Sequence, residues 1–282
     1  MAIKLILLDL DGTLLTSDKQ ISPANYAALE RCAANGVHIV PSTGRFYGGM
    51  PQVVRDLPFV RYVVAVNGAQ VYDVKEDKVL CREEIALDDA FRVFDEMDKL
   101  PAIYDCYMGG FGYDDVDTYE RIDEFISDPR VNAMVKGTRK PVPDLRAFLR
   151  EQGHPLQKIS VFFADMDRRA KELERLPKLF PDLAVTSSIA NNIEFNAKNA
   201  NKGEALRFLC RHLGLDVSES MSFGDSSNDL SMIIAAGVGV AMANADKSLL
   251  DAADYVTDTN DNDGVAKAIA RFCNNALLPE GG

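Results

Sequence analysis

Ile3-Lys4-Leu5-Ile6-Leu7-Leu8-Asp9-Leu10-Asp11-Gly12-Thr13 is the stretch on which the reading of the fold turns. Ile3 to Leu8 is a nearly continuous apolar run, the pattern of a strand buried on both faces of a parallel sheet. It stops abruptly at two carboxylates two residues apart, and Gly12 then lets the backbone turn tightly. In an extended segment that spacing sends the Asp9 and Asp11 carboxylates to one side. Open α/β sheets collect their ligands at the carboxyl ends of strands, which is where this charge falls.

The same grammar recurs outward from this stretch. Ser22-Pro23 reads as an N-cap and first helical position, Ala27, Leu29, Cys32 and Ala33 follow, and Gly36 closes the helix. Val37 to Val40 predicts a second strand, ending in the polar loop Pro41-Ser42-Thr43-Gly44-Arg45. Tyr62 to Val66 predicts a third, and Asn67-Gly68 turns it into Gln70 to Tyr72 as a hairpin. After Lys202 the pattern returns: a helix to Leu213, a strand Ser220 to Phe223, a polar loop Gly224 to Asp229, a helix to Ala236, a strand Val238 to Ala241, and a last helix after Gly264. Between these halves lies a block of different character. It has helical stretches at Leu87 to Lys99, Thr118 to Phe125 and Arg168 to Leu179, a Gly109 to Gly112 loop, a proline-punctuated segment Pro141 to Pro155, and strands at Leu156 to Phe163 and Ala184 to Ser187. The organisation that follows is an α/β sheet domain, residues 1–83 and 197–282, split by an inserted α/β block, 84–196.

Composition supports two ordinary domains. At roughly 100–200 residues each, 282 residues accommodate a pair. Apolar residues at 47% and charged residues at 26% are ordinary globular values and exclude disordered, collagenous and fibrous classes. With 31 basic and 43 acidic side chains the net charge is -12, which argues against nucleic acid or an anionic membrane surface as partner but leaves an anionic small molecule open. The 5 cysteines form no C-x-x-C pair and suggest neither a disulfide framework nor a zinc site, but buried thiols in a reducing compartment. The apolar run before Asp9 is too short for a signal peptide or a membrane span, so a cytoplasmic protein is expected.

Four polar loops thus meet the carboxyl edge of one predicted sheet. Asp9 and Asp11 lie in the first; Asp225 and Asp229 flank Ser226-Ser227-Asn228 in the last. Hard carboxylate oxygens gathered in this way suit Mg²⁺, which takes one or two carboxylates, keeps several waters and binds beside substrate phosphate. The 3 histidines form no spaced pair, which disfavours zinc.

Asp9-Leu10-Asp11-Gly12-Thr13, Ser42-Thr43-Gly44-Arg45, Asn201-Lys202-Gly203 and Gly224-Asp225-Ser226-Ser227-Asn228-Asp229 resemble, in order, the four motifs of the haloacid dehalogenase superfamily, in particular its Cof-like phosphatases of subfamily IIB. The tail Ala253-Asp254-Tyr255-Val256 through Asn260 to Asp263-Gly264-Val265-Ala266 is similar to the same branch, whereas the inserted block matches only in size and in Glu194-Phe195. The resemblance implies a Rossmann-like core with an α/β cap that selects substrate. It implies Asp9 as the nucleophile that takes the phosphoryl group, and Asp11 as general acid and then base. Mg²⁺ would sit on Asp9, the backbone carbonyl of Asp11 and Asp225. The Thr43 hydroxyl, the Gly44 amide, Lys202 and Asn228 would hold phosphoryl oxygens, Asp229 would orient Lys202 or a metal-bound water, and Arg45 would meet phosphate or an acidic neighbour. Like charges around Asp11 are expected to favour its protonated form.

The reading is a Mg²⁺-dependent phosphomonoesterase for a small phosphorylated metabolite, a sugar phosphate first. A phosphorylated cofactor (flavin mononucleotide, pyridoxal phosphate or a pyrimidine pyrophosphate) is the alternative, and a noncatalytic binding protein on the same fold the more distant one. A phosphomutase would place its cap between the first two motifs, where only one helix and one strand fit. The noncatalytic protein would have lost a charged motif residue, and none is missing.

Overall fold

In the computed structural model, which describes residues 2–273, the opening strand is Leu5–Leu8, with every side chain buried. The last residues of the expected second core segment, 274–282, lie outside the described residues. The strand is central: it pairs in parallel with His38–Pro41 on one side and Ser220–Gly224 on the other. Val238–Ala241 and Tyr255–Val256 extend the sheet to five parallel strands. A three-stranded antiparallel sheet, Tyr62–Ala65, Gln70–Asp73 and Lys78–Arg82, joins the His38–Pro41 edge through bridges Ile39–Val60 and Ser42–Val64. Ser22 caps the Pro23–Ala34 helix, its hydroxyl accepting from the Asn25 amide, and Gly36 follows with φ 80°. Leu5, Leu7, Val40 and Val64 pack with Leu206, Leu209 and Met232 from the helices behind the sheet.

The chain divides into two compact units. One comprises the residues up to Arg45, Met50–Arg82 and those from Asn201 on; the other comprises Phe46–Gly49 and Glu83–Ala200, a little wider than the block 84–196. The second unit is a six-stranded sheet in the order Leu183–Thr186, Asn192–Ala197, Lys158–Phe163, Ala102–Met108, Phe111–Asp115, Arg139–Val142, antiparallel except for the last pair. Alternation sorts its two faces. Ile159, Val161 and Phe163 join Ile193, Phe195 and Cys106 in a core with Val93, Phe94, Met97 and Leu149, whereas Lys158, Ser160, Glu194 and Asp105 lie on the opposite face, where Ile103 and Phe162 form a smaller core with Ile122 and Val135.

The proline-punctuated segment is more ordered than expected. It holds the strand Arg139–Val142 and the helix Leu145–Gln152, capped by Asp144 and closed by left-handed Gly153. Pro141 is tolerated because this strand is the sheet edge, where one side of the backbone needs no partner. Gly109 and Gly110, both at positive φ, are the turn of a hairpin between Ala102–Met108 and Phe111–Asp115. No helix among the described residues is long and apolar enough to cross a membrane.

Phe94 is fully buried and stacks on Tyr104 with ring centroids 4.7 Å apart. Phe94→Ala leaves a cavity and is expected to cost about 3–5 kcal/mol, read as a lower urea midpoint at unchanged slope.

Candidate active site

Where Leu5–Leu8 ends, the Asp9 amide still donates to the Phe223 carbonyl at 3.0 Å, so the residue is fixed by the sheet itself. Its Oδ1 lies 2.6 Å from Lys202 Nζ, which lies 2.5 Å from Asp229 Oδ1. Lys202 opens the Lys202–Leu213 helix behind the N-cap Asn201 and is fully buried. Burial acts to lower its pKa, but Asp229 and Asp9 outweigh that and hold it above the ordinary lysine value. Asp229 spends its other oxygen on the backbone amides of Asp225 and Ser226, both at 3.0 Å, which fixes the turn of the last loop.

Asp225 accepts from Thr13 Oγ1 at 2.7 Å and from Ser226 Oγ at 3.0 Å. Gly12, at φ 90°, passes so close that a Cβ there would stand 2.5 Å from Asp225 Oδ2. Asp9, Asp225 and Asp229 bring one oxygen each to within 4.8 Å of the others. The Asp9 carboxyl is pushed well up by burial first, then by Asp229 and Asp225, against the pull of Lys202; Asp225 is pushed up to about 6 by burial and by Asp229. This surplus of negative charge is what a hard dication relieves. Asp229 has committed both oxygens to Lys202 and the turn, whereas the two oxygens of Asp225 accept one hydrogen bond each and keep lone pairs for a metal. Asp9 and Asp225 therefore fit Mg²⁺.

The second loop is held just as firmly. Thr43 Oγ1 accepts from the Arg45 amide at 3.2 Å, and the Thr43 carbonyl accepts from the Asn67 amide at 2.9 Å. Asn67 is buried at φ 57°; its side-chain oxygen accepts from Asn228 Nδ2 at 3.1 Å and would meet a Cβ on Gly44 at 2.8 Å. All four loops are thus joined: the first to the second through Asp11–Arg45, the second to the fourth through Asn67–Asn228, and the third to the first and fourth through Lys202.

Two expectations are corrected. Asp11 does not share the cluster of Asp9. The backbone curls directly after Asp9, with Leu14 and Leu15 amides bonding back to Asp9 and Leu10 carbonyls, so the two-residue period of a strand no longer applies. Nor do like charges surround Asp11: Arg45 Nε and Nη2 hold its oxygens at 2.9 and 3.0 Å, and Lys19 Nζ bonds Oδ1 at 2.7 Å. Burial acts to raise its pKa, but Arg45 and Lys19 overcome this and hold it below the ordinary carboxylate value. Arg45 thus meets an acidic neighbour. Sequence reasoning also passed over Thr13 and Lys19, and read Asn67 as sufficiently explained by the hairpin turn. It gave no place to Asn244, whose side chain donates to the Gly12 carbonyl at 2.8 Å and braces the first loop. Only the positive-φ turn at Asn67-Gly68 carried a signal.

A family model described as haloacid dehalogenase-like hydrolase matches residues 6–269. Phosphatase YwpJ of Bacillus subtilis (strain 168) is 31% identical over 93% of this chain and 97% of its own length. The 5-amino-6-(5-phospho-D-ribitylamino)uracil phosphatase YcsE of the same organism is 33% identical over 96% of both chains. The solved structure of a haloacid dehalogenase-like hydrolase from B. subtilis superposes with TM-score 0.81 at 29% identity, covering 98% of this chain and 100% of that one.

Lys202→Met leaves Asp9 and Asp229 facing each other without the buried cation, a loss expected to cost about 3–5 kcal/mol at neutral pH. Without Lys202 the raised pKa of Asp9 rises further, so the folded variant binds a proton that the unfolded chain releases at a lower pH. The deficit relative to wild type should therefore be larger at pH 8 than at pH 5, measured by urea denaturation at both.

Proposed function

The chain belongs to the haloacid dehalogenase-like hydrolases and is a phosphatase of the Cof-like branch, and from that premise we propose a Mg²⁺-dependent phosphomonoesterase acting on a small phosphorylated metabolite, most readily a sugar phosphate. The observation that carries this reading is the Asp9 carboxylate at the sheet edge, bonded to a fully buried Lys202 and flanked by Asp225. Asp9 attacks phosphorus; its O–P bond forms as the bond to the leaving alcohol breaks, giving an aspartyl phosphate. Lys202 and the Thr43–Gly44 loop hold phosphoryl oxygens, Lys202 from beside Asp9, and Asn228 does so from the fourth loop.

Asp11 moves the proton. It takes one from the water that opens the aspartyl phosphate and gives that proton to the leaving alkoxide of the next turnover. Its ionic bonds to Arg45 and Lys19 suit the first of these, in which it must be a carboxylate. Asp9, Asp225 and the Asp11 backbone carbonyl would hold Mg²⁺, whose charge offsets the carboxylates before a phosphate dianion enters. The unit comprising Phe46–Gly49 and Glu83–Ala200 selects the leaving group, a division supported by the position of all four motif loops in the other unit. The reading is of a cytoplasmic enzyme. A phosphorylated ribityl compound is favoured as second candidate by the name of one relative, the 5-amino-6-(5-phospho-D-ribitylamino)uracil phosphatase YcsE.

Asp9→Asn is expected to lower turnover by about three orders of magnitude or more on every member of a panel of sugar phosphates, flavin mononucleotide, pyridoxal phosphate and 5-amino-6-(5-phospho-D-ribitylamino)uracil. Phosphate release by wild type with Mg²⁺ on none of them would refute the reading.

Mg²⁺ must also compete with protons. Burial and Asp229 push the Asp225 carboxyl up to about 6, so metal binding weakens as pH falls through that value. At pH 7.5, Mg²⁺ at about a hundred times its Kd should raise Tm by roughly 5–10 °C. At pH 5, one unit below that value, the affinity should be about tenfold weaker and about half of that rise should vanish, as followed by thermal unfolding without substrate.

A further inference from the structure

The helices Pro23–Ala34 and Gly264–Phe272 lie side by side and run in the same direction, in a register set by two hydrogen bonds. Ser22 Oγ donates to Asp263 Oδ1 at 2.5 Å, and the Ala266 amide donates to Asn25 Oδ1 at 2.9 Å, both across an offset of 241 residues. About two turns further on, at the same offset and on the same face, come Cys32 and Cys273. Both are buried, both are free thiols, and each shifts the ionisation of the other. Cys32 sits in the final turns of one helix; Cys273 is the C-cap of the other, its amide bonded to the Ile269 carbonyl at 2.8 Å. The phosphatase chemistry uses neither. The remaining cysteines stand apart from this pair, Cys81 on the strand Lys78–Arg82, Cys106 on Ala102–Met108 and Cys210 within Lys202–Leu213.

We propose that Cys32 and Cys273 form a reversible redox staple, a dithiol that a hydroperoxide converts into a disulfide tying the ends of these two helices. Two parallel helices in contact and pinned at their N-terminal ends carry the two thiols at the same register, so that a disulfide would join positions the fold already sets opposite one another. Cys273 reacts first. The interaction between the two thiols favours the Cys273 thiolate, and together with burial it pushes the Cys32 thiol up. As a helix-terminal residue it becomes accessible by local fraying, without opening of the sheet. The Cys273 thiolate attacks the outer peroxide oxygen, forming an S–O bond and breaking O–O, and an alcohol (water, from hydrogen peroxide) leaves with a proton. Cys32 sulfur then attacks the sulfenic sulfur, forming S–S and breaking S–O, and water leaves with the thiol's proton. Two thiols and one hydroperoxide give one disulfide, one alcohol and one water.

The test treats the full-length protein with hydrogen peroxide and titrates thiols in denaturant. Two of the five thiols should be lost, and tryptic mass mapping should find a linked peptide pair containing Cys32 and Cys273. The oxidised wild type should melt about 5–10 °C higher than the reduced protein, reversibly with dithiothreitol. Cys273→Ser should show neither the link nor the shift. Retention of all five thiols until the protein unfolds, a link through another cysteine, or a linked protein with unchanged Tm would each overturn the proposal; the mapping and melting of wild type decide it even if the variant folds poorly.

Discussion

One ammonium holds the site together. Lys202 is fully buried at 2.6 Å from Asp9 and 2.5 Å from Asp229, and the two carboxylates it bridges come from the first strand and from the loop after Ser220–Gly224. A lysine at the start of a helix faces the positive end of the helix dipole, an unfavourable place for a cation unless something stronger holds it. Here that something is a pair of anions which would themselves be intolerable without it. The arrangement leaves negative charge in excess, and the raised pKa values of Asp9 and Asp225 express that excess.

Asp9 and Asp11 show how far two identical side chains can be driven apart by their surroundings. Asp9 lies in a buried, anionic setting that resists ionisation, whereas Asp11 lies between a guanidinium and an ammonium that favour it. The separation comes from the backbone. Had the strand continued for two more residues, both carboxylates would have crowded the same face; the curl after Asp9 instead turns Asp11 toward Arg45 and Lys19.

What could be read from the sequence was whatever local chemistry determines. The apolar run before Asp9 announced a doubly buried strand, Ser22-Pro23 announced its helix, and the polar loops announced a common edge, because each signal is complete within a few residues. The neighbours of Asp11 were not readable. Lys19 reaches it through a turn with its own φ at 59°, and Arg45 arrives from the loop after a different strand, so their effect on Asp11 exists only once tertiary structure is formed. Asn244 bracing Gly12 across 232 residues is of the same kind. In the second unit the strand Arg139–Val142 was hidden by Pro141, since a proline argues against a strand unless the strand is known to be an edge.

The place of Leu5–Leu8 between His38–Pro41 and Ser220–Gly224 has a consequence for biosynthesis. The central strand of the sheet leaves the ribosome well before its second neighbour, which is not translated until the whole of the 83–200 segment has been made. At about 5–20 residues per second, one apolar edge of the nascent sheet waits roughly ten to forty seconds for its partner. During that interval the inserted unit has all its own strands and can close its core, while the first half of the surrounding unit cannot. Vectorial synthesis thus lets the inserted unit close its core before the unit around it can, and keeps the four polar loops dispersed until Lys202 and Asp229 emerge to join them.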